Sequence, residues 1–173
     1  MELVRVFLGF GSNIGDGIAN IQRASNEIVK RTGNTVKLSG FWRSKAQYYI
    51  EQPDFINAVG EIRCSLGAEE LLALCNTVEV EMGRDRSLVV EKGPRVIDID
   101  ILLYGNEIIA SDCLIVPHLG IRERKFVLLP LMQLDSTLRD PVTGMLFRDI
   151  LARIPRQGIY PIPLQRYDAP YPA

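Results

Sequence analysis

Arg95-Val96-Ile97-Asp98-Ile99-Asp100-Ile101-Leu102-Leu103-Tyr104 is the stretch on which the fold turns. Side chains of a strand alternate between two faces. Ile97, Ile99 and Ile101 therefore share one face and both carboxylates the other, with backbones about 6.6 Å apart at roughly 3.3 Å per residue. The isoleucine face calls for a packed layer. Just upstream, Leu71, Leu74, Cys75, Val78 and Met82 recur at helical spacing. They predict a helix that begins near Ser65 or Ala68 and ends at Gly83. Phe55–Cys64 and Thr35–Arg43 are rich in β-branched and aromatic residues and read as strands. Before them, Ile18, Ile21, Ala24 and Ile28 mark a helix that Gly33-Asn34 stops, and Leu3–Phe10 alternates as a strand does. The order β-α-β-β-α-β predicts an α+β fold with a ferredoxin-like core: a four-stranded antiparallel sheet carrying two helices on one face.

Downstream of Tyr104 come short apolar pieces at Ile108-Ile109 and Leu114–Val116, then a helix expected from about Ile121 to Leu129 and stopped by Pro130. Leu146–Ile154 reads as a last short helix. Placed on the open sheet face, these C-terminal elements predict a three-layer α/β/α arrangement. Residues 1–154 are expected to form a single domain. Beyond it, five of the ten prolines and three of the six tyrosines crowd into residues 155–173. Proline at that density forbids regular helix or central strand, so an extended tail is expected.

The whole chain has 173 residues, 47% hydrophobic and 24% charged, with 20 Lys+Arg against 21 Asp+Glu. This is a globular composition, and a chain of this size buries roughly 70% of its unfolded surface without metal or disulfide staples. Balanced charge argues against a bulk nucleic-acid partner, so phosphate must be met by a local basic cluster. Met1 is followed at once by Glu2 and Arg5, which predicts no secretory signal, and no apolar run is long enough to span a bilayer. Three scattered cysteines, Cys64, Cys75 and Cys113, are expected as reduced thiols in a cytoplasmic protein.

Two aspartates converging from one strand face need a cation or basic partner. Magnesium suits them, because it combines a few carboxylates with phosphate oxygens and water. Arg84, Arg86, Lys92 and Arg95 fall within a dozen residues before the pair. Metal-binding acids beside phosphate-binding bases are the composition of a nucleoside triphosphate site, and a nucleotide, if bound, is expected to be held without a Walker glycine loop. His118, the only histidine, is a candidate for a phosphate hydrogen bond or proton transfer. Asn57, on a strand, can read a heterocycle edge, and Phe55 and Phe126 can stack on one. Taken singly, each of these has a structural alternative: solvated acids, a solvated charge run, a half-buried histidine, core aromatics.

Four blocks carry more than their chemistry: Gly9-Phe10-Gly11-Ser12-Asn13-Ile14-Gly15-Asp16, Gln52-Pro53-Asp54-Phe55-Ile56-Asn57-Ala58, Gly93-Pro94 with the strand to Gly105, and Val116-Pro117-His118 followed by Arg124-Lys125-Phe126-Val127-Leu128. In order and over about Val6 to Ile154 they resemble the motifs of the hydroxymethyl-dihydropterin pyrophosphokinase family of folate biosynthesis. The resemblance implies ATP-dependent transfer of diphosphate to the hydroxymethyl group of a reduced pterin, with release of AMP. It implies two magnesium ions on Asp98 and Asp100, and Arg84 and Arg95 as catalytic groups. Phosphate and nucleotide contacts are implied for Arg84, Arg95, His118 and Arg124, with Asn76, Glu79 and Ile101 at the nucleotide pocket. The pterin would be held by Ser44, Phe55, Asn57, Asp98 and Phe126. ATP and the pterin are then the partners, with the chain a monomer or weak homo-oligomer. The loops Lys45–Glu51 and Asp85–Lys92 are expected to close over substrates. Competing readings are a ligand-binding or RNA-contacting module on the same sheet, or another magnesium-dependent nucleotide transferase.

Overall fold

A computed structural model describes residues 3–46, 52–84 and 93–163. Residues 47–51 and 85–92, most of the two loops expected to close over substrates, lie outside the described residues, as do residues 164–173.

The chain opens with β1 (Val4–Ser12), whose Val6, Leu8 and Phe10 enter one apolar cluster while Phe7 enters another. Asp16 then caps α1 (Gly17–Thr32), its carboxylate accepting from the Ala19 N–H at 3.0 Å, and Gly33 closes the helix at φ 69°. Two short strands follow, β2 (Val36–Leu38) and β3 (Trp42–Ser44), and then β4 (Phe55–Cys64). The single strand expected over Thr35–Arg43 is thus broken. Leu38 pairs with Gly60 but Trp42 pairs with Asn57, so four steps on one side face three on the other, and the extra residue makes a bulge. Side chains hold it: Ser39 Oγ accepts from the Val59 N–H, and Gln133 Oε1 accepts from the Gly40 N–H and the Trp42 indole.

The second helix, α2 (Ala68–Glu81), buries Leu71, Cys75 and Val78 together with the carboxylate-bearing Glu79. The decisive strand, β5 (Asp98–Tyr104), begins three residues later than its alternation suggested. Arg95 is instead tied to Asn13 in both directions, its N–H donating to Asn13 Oδ1 and its carbonyl accepting from the Asn13 N–H. Among the described residues all strand pairs are antiparallel, in the order β5-β1-β4-β3, with β2 also on β4.

The apolar pieces after β5 form the two-stranded β6 (Ile109–Ala110) and β7 (Ile115–Val116). A 3-10 turn over Leu119–Arg122 leads into α3 (Lys125–Leu134). Pro130 lies inside α3 rather than ending it. An interior proline costs a helix about 3 kcal/mol. Burial of Val127, Leu128, Pro130 and Leu131 against the sheet offsets that cost, at about 1.5–3 kcal/mol per large apolar side chain. Then come α4 (Phe147–Arg153) and β8 (Ile159–Pro161), an edge strand that adds to β3.

Two apolar clusters flank the sheet. One joins Val6, Leu8, Phe10, Ile99 and Ile101 to α1 and α2; the other joins Phe7, Val59 and Leu102 to α3 and α4. Asp98 and Asp100 leave β5 on the second face, beyond the end of its cluster. Cys64 and Cys75 are buried free thiols and Cys113 is exposed. No helix among the described residues is long and apolar enough to cross a membrane.

Candidate active site

Where the α3–α4 cluster stops, the sheet is left uncovered and a cavity of about 120 Å³ opens. Its floor is β1, β4 and β5. Gly9 and Gly11, two apart on β1, present no side chains to it, and Gly11 pairs with both Asn57 and Asp98 in the sheet register. Phe55 and Phe126 form walls, from the start of β4 and the first turn of α3.

Asn57 is buried. Its Nδ2 donates to Ser44 Oγ at 2.9 Å and to the Trp42 carbonyl at 3.2 Å. With the amide nitrogen so engaged, Oδ1 lies over Gly11 at the cavity floor, 3.8 Å from where a Cβ would stand. A ligand N–H there would find a fixed acceptor.

The two aspartates have unlike neighbours. Arg84 Nη1 reaches Asp98 Oδ1 and Glu79 Oε1, each at 2.5 Å, and Arg95 Nε stands 3.1 Å from Asp98 Oδ2. Glu79, almost fully buried, also accepts from the Ile99 N–H at 2.7 Å, pinning the open edge of β5 between the two aspartates. Asp100 faces His118, whose Nε2 is 3.8 Å from Oδ2. Desolvation at the cavity wall, followed by repulsion from Asp98, pushes the Asp100 carboxyl up to about 7, against the pull of Arg124, although 42% of the side chain stays open to the cavity. His118 Nδ1 accepts from the Gly120 N–H at 3.1 Å, so the neutral ring carries its proton on Nε2, toward Asp100. Burial, then the charge of Arg124, lowers the His118 pKa. Each pocket arginine also covers an aromatic wall: Arg95 lies 5.1 Å from the Phe55 centroid and Arg124 5.8 Å from that of Phe126.

The chain matches the family described as 7,8-dihydro-6-hydroxymethylpterin-pyrophosphokinase over residues 7–136. It belongs to that family. Among pyrophosphokinase relatives, the Haemophilus influenzae 2-amino-4-hydroxy-6-hydroxymethyldihydropteridine pyrophosphokinase is 36% identical over 79% of this chain and 84% of its own length. Folic acid synthesis protein fol1 of Schizosaccharomyces pombe is 40% identical over 88% of this chain, and the chain spans only 21% of that longer protein. In fold, the chain resembles a crystal structure of an HPPK-DHPS in complex with substrates, with a TM-score of 0.70 at 12% identity, over 88% of this chain and 43% of the other.

Of the residues assigned through the pyrophosphokinase motifs, Ser44, Phe55, Asn57, Arg95, Asp98, Asp100, Arg124 and Phe126 line one cavity. Arg84 and His118 flank it through the two aspartates. Asn76 and Ile101 are not among its lining residues. Asn76 lies on α2, one turn before Glu79, and the Ile101 side chain is buried in the α1–α2 cluster, so a ligand could meet Ile101 only through its backbone. Lys45, from the loop expected to close over substrates, and Gln52, from the second motif block, also line the cavity, although neither was assigned a site role. Nor was Asn13, which besides holding Arg95 donates from Nδ2 to Gln52 Oε1 at 3.0 Å and the Pro53 carbonyl at 3.2 Å. The available signal was the Gly-x-Gly-Ser-Asn run itself, two bare strand positions followed by a loop-forming amide.

Proposed function

We propose that the chain transfers the β,γ-diphosphoryl group of ATP to the hydroxymethyl oxygen of 6-hydroxymethyl-7,8-dihydropterin and releases AMP. The observation that carries this reading is the placing of Asp98 and Asp100 at the edge of a cavity walled by two phenylalanines and edged by arginines. Phe55 and Phe126 would stack on the two faces of the pterin ring, while Asn57 Oδ1 accepts from its amino edge. Arg84, Arg95, His118 and Arg124 would hold the polyphosphate, and Asn76 and Glu79 would border the nucleotide. The new bond joins the substrate oxygen to the β-phosphorus; the bond that breaks leaves the α,β-bridging oxygen on AMP.

The donor set fits a hard divalent cation. A cation held by these two carboxylates would complete its coordination with phosphate and water. Asp98 and Asp100 would hold two magnesium ions, which offset charge on the transferring group. The rest of the work is positioning, with Arg84 and Arg95 held against Asp98 at the cavity edge. The same reading takes the β1-α1-β2-β4-α2-β5 path as a ferredoxin-like core with a C-terminal layer.

Incubation with ATP, the pterin and magnesium tests it: AMP and the pterin diphosphate are expected in equal amounts, and neither without the cation. Asp98→Ala and Asp100→Ala should each cut turnover by about 10³-fold or more while keeping the native circular dichroism, as loss of a major electrostatic group does. Release of pyrophosphate instead of AMP, or near-normal turnover in either variant, would overturn the assignment.

A further inference from the structure

Gly120 belongs to the 3-10 turn that connects His118 to Arg124. Its backbone lies outside the left-handed region, so the turn itself would accept any L-residue. What the position does not accept is a side chain. A Cβ there would come within 2.5 Å of Arg124 Nε, 2.7 Å of Cζ and 2.9 Å of Cδ. The head of the arginine therefore lies directly on the bare backbone of the glycine. From that seat it covers Phe126 and borders the same cavity as Asp98 and Asp100. We propose that Gly120 is a positioning residue, whose missing side chain forms the seat that holds the Arg124 guanidinium over Phe126 and toward the polyphosphate. The proposal rests on the phosphate role given to Arg124 above.

An alanine at this position would meet the movable end of a flexible side chain rather than backbone. The fold should therefore survive and the guanidinium should be the part that yields. The hydrogen bond from the residue-120 N–H to His118 Nδ1 does not depend on the side chain at 120, so Gly120→Ala perturbs Arg124 without removing that contact.

The test is a double-mutant cycle read by calorimetric binding of α,β-methylene-ATP with magnesium, on native protein, Gly120→Ala, Arg124→Ala and the pair. Gly120→Ala alone should weaken binding by about tenfold, the worth of one well-placed charge-assisted contact, with an unchanged melting temperature. In the Arg124→Ala background the same alanine should cost nothing. Native affinity in Gly120→Ala, with a loss in Arg124→Ala, would overturn the role of Gly120 and leave the phosphate role of Arg124 standing. Native affinity in Arg124→Ala would remove that phosphate role and this proposal with it. An equal loss from Gly120→Ala in both backgrounds, or failure to fold in both, would show that the alanine meets something other than the guanidinium, and would also overturn it.

Discussion

Asp98 and Asp100 stand two residues apart on one strand and carry different electrostatic loads. Asp98 is shared between two arginines, one from the end of α2 and one from the approach to β5. Asp100, partly desolvated at the cavity wall and repelled by Asp98, has its carboxyl raised to about 7. A carboxyl raised above its ordinary 3.8 favours the folded state only while protonated. Its contribution is complete below that ordinary value and is lost as pH rises toward 7. The metal-free Asp100→Asn variant should therefore melt higher than the native protein at about pH 8 and equally at about pH 4. Differential scanning calorimetry without divalent cations checks this; equal melting at the higher pH would contradict it. The pairing of the carboxylates was legible from strand period alone. Their inequality was not, because the groups that create it come from other elements.

At the scale of elements, periodic apolar residues announced α1, α2, β1 and β4 closely, since each buries one regular face. The failures fall where side chains compete with regular backbone pairing. Ser39 and Gln133 hold the bulge that splits β2 from β3, and Asn13 holds Arg95 out of β5. Pro130 was expected to end a helix, and the burial of its neighbours carries α3 past it. Gly60 on β4 shows how tight the pairing is at the bulge. A Cβ there would stand 2.8 Å from Cγ1 of the half-buried Val36 and 2.9 Å from Cε2 of the core residue Phe10. Gly60→Ala is expected to lower the unfolding free energy by about 1–3 kcal/mol, as overpacking does. Urea denaturation checks it, and an unchanged midpoint would mean that β2 moves aside without cost.

Across the whole molecule, Asn13 ties together two segments that border the site. This one buried amide, at the end of β1, joins the segment leading into β4 to the segment leading into β5, and so brings Gln52 and Arg95 to the same cavity. Asn13→Ala leaves the Arg95 N–H without its acceptor and should cost about 1–3 kcal/mol in urea unfolding. Amide exchange at Arg95 should quicken; native protection there would contradict the assignment. By itself the sequence determined the order and type of the main elements, the carboxylate pair and the aromatic and basic residues around it, because period, turn chemistry and motif spacing are local properties of a chain. Only the tertiary structure decided which arginine faces which aspartate, that Glu79 fastens the edge of β5, and that a glycine makes room for Arg124. Those depend on distances between segments remote in sequence, and such distances exist only once the sheet has brought the segments together.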